Sequence, residues 1–125
     1  MRKALPYLVV AVILAVGYAL FMGGERAPAE TVVEAIESGA TVIDVRSDGE
    51  WAGGHIEGAL HVPVGAEDFR EQVDGLDREE PVYVYCASGV RSGRAAAVME
   101  DMGFEQVINA GGMSRLQAAG APVTR

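Results

Sequence analysis

The apolar positions of this chain change period from one segment to the next. Ala4 to Gly24 is an uncharged run of 21 residues behind Arg2 and Lys3. After it, TVVEAIESG (31–39) carries Val32, Val33 and Ile36 at helical spacing, and Gly39 supplies a stop. ATVIDV (40–45) is β-branched and reads as a buried strand. Residues 46–59 are rich in glycine and charge, hence loop, with one helical turn near Glu50–Ala52. LHVPV (60–64) reads as a short strand and AEDFREQVDGL (66–76) as an amphipathic helix. PVYVY (81–85) is a strong strand and SGRAAAVMEDMGF (92–104) a helix. EQVINA (105–110) is a strand, GGMSRLQAAG (111–120) a short helix and APVTR a tail. Strands separated by helices predict an α/β fold with a mostly parallel central sheet and helices on both faces.

The first run changes the picture of where such a domain resides. As a helix it would extend roughly 31 Å, about the hydrocarbon thickness of a bilayer. Residues 1–24 are therefore expected to form a transmembrane anchor, or a signal peptide cut after APA (27–29), before Glu30. Residues 25–29 form a linker and 30–125 a single domain. Arg2 and Lys3 keep the N-terminus cytoplasmic under the positive-inside rule and send the domain across the membrane. Either way the domain is expected to be extracytoplasmic or periplasmic, and an uncleaved helix makes the membrane a partner.

From Glu25 onward 18 acidic residues face 8 arginines and no lysine. A domain of this charge is repelled by phosphate backbones, which argues against nucleic acid as a partner. One cysteine excludes an internal disulfide. That cysteine with His55 and His61 makes no zinc spacing, so no metal is expected.

The lone thiol, Cys86, ends the strand PVYVY and opens CASGVRSGR (86–94). Ligands bind at the C-terminal ends of strands in open α/β sheets. Ala87, Ser88, Gly89, Val90 and Arg91 can curl with their N–H groups facing the sulfur, and Gly89 permits the curl. The helix that follows adds its positive end, and Arg91 and Arg94 add charge. Each feature favours thiolate over thiol, against an ordinary thiol pKa of about 8.5. Cys86 is thus the candidate nucleophile, in a pocket suited to anions and open to solvent. The rival reading is a buried structural cysteine. Among the other polar residues, Asp44 is expected to cap loop N–H groups and Arg46 to pair with an acid such as Glu50. His55 and His61 are expected to fix loops, and Trp51, Met99 and Met102 to pack.

CASGVRS resembles the Cys-x-x-Gly-x-Arg-Ser loop of the rhodanese family. VIDVRSDGEW (42–51), GGHIEGALHVP (53–63) and GGMSRLQAAGAPV (111–123) resemble three further segments of that family, in order, over residues 29 to 123. Leu116 stands where the family usually has tryptophan. The resemblance implies the rhodanese-like fold and a sulfurtransferase that needs no cofactor. Cys86 would take the sulfane sulfur of a small anionic donor such as thiosulfate or a persulfide. It would pass that sulfur to a thiol or protein-cysteine acceptor, with residues 87–91 binding the anion and Arg91 gripping the donor. The alternative is a membrane-tethered binding or sulfur-relay module with little turnover. Cysteine-dependent phosphatases place five residues between Cys and Arg, whereas four lie between Cys86 and Arg91; the shorter ring suits sulfur.

Overall fold

The computed structural model describes residues 26–125. The expected anchor or signal segment lies outside the described residues. Among these, no helix is long and apolar enough to cross a membrane.

Four parallel strands form the central sheet in the order β3-β1-β4-β5: β1 (Thr41–Asp44), β3 (Leu60–His61), β4 (Val82–Cys86) and β5 (Val107–Gly112). β4 lies between β1 and β5, and its β-branched and aromatic residues leave only Tyr83 half-exposed. Side chains alternate across a strand, so Val82, Val84 and Cys86 face one layer while Tyr83 and Tyr85 face the other. The first layer joins β4 to Phe69 and Val73 of α3 (Phe69–Val73) and to Ala95, Ala96 and Met99 of α4 (Val90–Asp101). The second joins Tyr85 to Val32 and Val33 of α1 (Ala29–Glu37) and to Leu116 of α5 (Met113–Ala118). Helices therefore cover both faces, as the pattern predicts. Leu116, which stands where the resembled family usually has tryptophan, is fully buried in the second layer.

The differences from the sequence reading are local. The helical turn expected near Glu50–Ala52 is present as α2 (Asp48–Ala52) and begins two residues earlier, because Ser47 and Glu50 form a capping box at its start. The 46–59 stretch also holds β2 (His55–Ile56), which pairs antiparallel with β6 (Val123–Thr124) in the segment expected to be a tail. Helix α3 is half the expected length, since residues 64–68 turn before Phe69. Helix α4 begins at Val90 rather than Ser92, and β4 runs through Cys86. The Cys86 loop is thus three residues long, and Arg91 sits in the first turn of the helix. Strand β5 continues to Gly112, with Ala110 as an extra residue between the partners of Val84 and Tyr85.

Candidate active site

Strand β4 ends at the C-terminal edge of the sheet, and Ala87, Ser88 and Gly89 turn the chain into α4. Gly89 makes that turn at φ 98°, a backbone region disfavoured for residues with a Cβ. The turn aims the Gly89 N–H at Cys86 Sγ, 2.9 Å away. Ser92, one turn into α4, brings its hydroxyl to 3.5 Å from the same sulfur. Burial pushes the Cys86 thiol up; the Ser92 hydroxyl and the N–H groups of Ser92, Ser88 and Gly89 outweigh it, and the balance holds the thiol below its ordinary value. Of the five loop residues expected to ring the sulfur, Ser88 and Gly89 contribute through their N–H groups. Ala87 and Val90 supply no such bond, and Val90 instead projects outward, 64% exposed.

Two findings alter the expected site. Cys86 has no exposed surface. The open pocket expected from the sequence is replaced by a sulfur at the floor of a closed loop, within the apolar layer of Val45 and Val84. Arg91, expected to grip an anionic donor, bonds instead to Glu50 with both terminal nitrogens, at 2.6 and 2.9 Å. That engages two of its five N–H groups. The Arg91 guanidinium and the Ser47 cap hold Glu50 down to about 2, burial opposing them. The Glu50 carboxylate and the Cys86 thiolate in turn raise Arg91, burial opposing, so the guanidinium lies within electrostatic reach of the sulfur.

Ser92, Asn109 and Ser47, all outside the expected set, complete the site. Asn109 of β5 accepts from the Ser92 hydroxyl at 2.7 Å and from Gly111 N–H at 3.0 Å through one oxygen. Its side-chain nitrogen donates to the Gly89 carbonyl at 3.0 Å. Asn109 therefore ties both sulfur-facing donors to the sheet. A hydroxyl has one proton, so Ser92 divides it between Asn109 and the sulfur. A polar residue inside the apolar run VINAGG was the signal available in the sequence. Ser47, three residues before Glu50, was the signal for the cap that orients Arg91's partner.

The remaining polar residues build the scaffold. Arg46 pairs with Asp44 rather than the expected Glu50, at 2.7 Å, and donates to the Gly54 carbonyl. Asp44 also accepts from its own expected target class, the Arg46 N–H, and from the Tyr85 hydroxyl at 2.7 Å. Tyr85 oxygen accepts from Ile56 N–H in turn, and burial pushes this phenol well above its ordinary range. Every buried side-chain oxygen or nitrogen among the described residues has a partner. His55 and His61 each donate to a backbone carbonyl, of Trp51 and Arg46 respectively, and both rings stack on Trp51. Those three residues fix the β1–β3 loops, as expected. Met99 is fully buried and Met102 packs against its layer. No cluster of metal-ligating residues occurs among the described residues.

Comparison with known proteins agrees with this geometry. The family model of the Rhodanese-like domain matches residues 28–119. The thiosulfate sulfurtransferase GlpE of Pseudomonas fluorescens is 38% identical over 89 residues, 70% of this chain and 79% of that protein. The thiosulfate sulfurtransferase PspE of Escherichia coli is 35% identical over 71 residues, 57% of this chain and 68% of that protein. Two Bacillus subtilis relatives, the uncharacterized YqhL and the putative sulfur carrier YrkF, are 39% and 37% identical, and the matches span only 54% and 36% of their lengths. Among solved structures, the Rhodanese-like domain from Anabaena superposes with a TM-score of 0.70 at 29% identity, covering 79% of this chain and 77% of that one. A rhodanese with anions from E. coli superposes at 0.58 and 31% identity, over 69% of this chain and 98% of that one. Motif, fold and matched length agree: this chain belongs to the rhodanese-like domain family.

Proposed function

We infer that the domain is a sulfurtransferase working through a Cys86 persulfide. The observation that carries this reading is the Gly89 N–H on Sγ at 2.9 Å, within a loop that makes the thiol more acidic than usual. The Cys86 thiolate attacks the outer sulfur of thiosulfate. The S–S bond of the donor breaks, sulfite leaves with the electron pair, and Cys86 carries the added sulfur as a persulfide anion. A thiolate acceptor then attacks that outer sulfur and restores the Cys86 thiolate. The loop N–H groups and the Ser92 hydroxyl stabilise negative charge on sulfur in both half-reactions. Arg91 supplies positive potential, and its three uncommitted N–H groups remain for the donor. Because Cys86 is closed off, the 87–89 turn must shift to admit a donor atom.

The apolar run 4–24 supports a tether or export signal that puts the domain on the extracytoplasmic side, where a protein cysteine or small thiol is the acceptor. A second reading, a sulfur-relay module that turns over little thiosulfate, is favoured by the complete burial of Cys86. Intact-mass analysis after incubation with thiosulfate tests the first. A gain of one sulfur atom, absent in Cys86→Ser, is expected. No gain with thiosulfate, but a gain from a persulfidated protein, would replace the enzyme with the relay.

A further inference from the structure

The arginines of this domain divide by position. Of the eight from Glu25 onward, Arg46, Arg70, Arg78 and Arg91 each pair with a carboxylate. Arg26, Arg94, Arg115 and Arg125 have no such partner among the described residues, in a stretch where acids outnumber arginines 18 to 8. Three of these four surround the sulfur loop.

Arg26 lies across the loop. A Cβ on Gly89 would overlap its guanidinium, and one on Gly111 would meet its Cδ at 3.4 Å. The same Gly111 position is 3.6 Å from Nη1 of Arg115, on α5. The backbone beside Arg26 is fixed, because Ala27 is buried and its N–H donates to the Asn109 carbonyl at 3.0 Å. On the other flank, Arg94 is one helical turn along α4 from Val90 and shares its face. All three arginines are exposed, as are Ala87 and Ser88 of the turn over Cys86 and the Val90 side chain.

Guanidinium groups set near one another without counter-charges repel, while the rest of the domain repels anions. A cationic rim around an exposed valine, at the place where sulfur must leave Cys86, complements an acidic surface. The arginines come from three elements on two flanks of the loop, which suits a protein surface rather than one small anion. We propose that this rim docks a protein acceptor whose cysteine lies among aspartate and glutamate side chains. The proposal rests on the sulfur-transfer reading and names the partner of that same site. The acceptor thiolate attacks the outer sulfur of the Cys86 persulfide anion and forms a new S–S bond with its own electron pair. The S–S bond to Cys86 breaks, its pair returns to Cys86 as the thiolate, and the acceptor leaves as the persulfide anion. Both reactants are anions, and the rim offsets their repulsion.

Two synthetic peptides are the probes: one carries four glutamates around a central serine, the other four glutamines. Fluorescence anisotropy at low salt measures their binding to the full-length Cys86→Ser protein, without sulfur transfer. The acidic peptide is expected to bind about tenfold more tightly than the glutamine peptide. Arg26→Gln, Arg94→Gln and Arg115→Gln should each weaken it about threefold, as for an exposed ion pair, and Arg70→Gln, outside the rim, should not. With Cys86 intact and loaded from thiosulfate, the acidic peptide with cysteine at its centre should take the sulfur about tenfold faster than its glutamine counterpart. The triple arginine variant should lose that advantage. All substituted side chains are exposed, and thermal unfolding checks that the folds are intact. Equal binding of both peptides, binding indifferent to the three rim substitutions, or an equal loss in Arg70→Gln would overturn the docking surface. Rim-dependent binding to phosphatidylglycerol vesicles, with no binding of the acidic peptide, would overturn it in favour of lipid headgroups. Peptide binding as expected, with no sulfur gained by Cys86, would leave the surface standing and remove the sulfur-transfer reading instead.

Discussion

Gly89→Ala separates the strain of the sulfur loop from its chemistry. Gly89 holds φ 98°, and an alanine in that region costs about 1–2 kcal/mol. Its Cβ would overlap the Arg26 guanidinium, but that is the end of a flexible, exposed side chain that can swing away at small cost. The expected loss of stability is therefore about 1–2 kcal/mol, read as a lower urea midpoint at unchanged slope. If the loop instead relaxes toward negative φ, the Gly89 N–H turns away from Sγ and its carbonyl leaves Asn109. The strain favours that relaxation, which moves the N–H donor, so the thiol should titrate at higher pH. The ultraviolet absorbance of the thiolate reports this without ambiguity, because the chain has one cysteine. Gly58→Ala is the control. It has φ 83° and open space around its Cβ position, so it should cost a similar stability while leaving the thiol titration unchanged. An unchanged titration in Gly89→Ala, or an equal shift in both variants, would refute the claim that this turn tunes the sulfur.

Three further outcomes are expected. Glu50 is held down to about 2 in the folded protein, so the Glu50–Arg91 pair contributes stability above the ordinary carboxylate pKa of about 4.3. That contribution is lost as pH falls from there toward about 2; Glu50→Gln should flatten this part of the acid-unfolding curve, and an identical curve would discount the pair. Tyr85→Phe removes an acceptor from buried Ile56 N–H and a donor to Asp44, costing about 1–3 kcal/mol by urea unfolding; since Tyr85 faces away from Cys86, the thiol titration should stay in place. Asn109→Ala frees the Ser92 hydroxyl but releases Gly89, whereas Ser92→Ala removes a donor from the sulfur outright. Ser92→Ala should raise the thiol's titration midpoint, and a midpoint unmoved by it would show that the hydroxyl serves Asn109 alone.

Long segments with a clear period were legible in the sequence. β1, β4 and α4 fall within a few residues of their expected bounds, because each has a long apolar signature facing a packed layer. The sulfur loop was legible because a lone cysteine, a glycine and an arginine follow a strong strand. β2 and β6 were not legible: two residues each carry no periodicity, and their pairing joins His55 to Thr124, 69 positions later in the chain. Arg91's partner was equally hidden, since Glu50 lies 41 residues earlier and becomes adjacent only when β1 and β4 pair. Cys86 faces the apolar layer because β4 runs through it and side chains alternate, and α4 starting two residues early shortens the loop above it.

Hydrogen bonds from a three-residue turn and the first turn of α4 make the fully buried Cys86 thiol more acidic than an ordinary cysteine, burial opposing them. Titration of the single thiol in the intact chain tests it most directly. The account predicts a midpoint below the ordinary cysteine value of about 8.5; a midpoint at or above that value would mean that burial dominates and that Cys86 is a packed structural thiol.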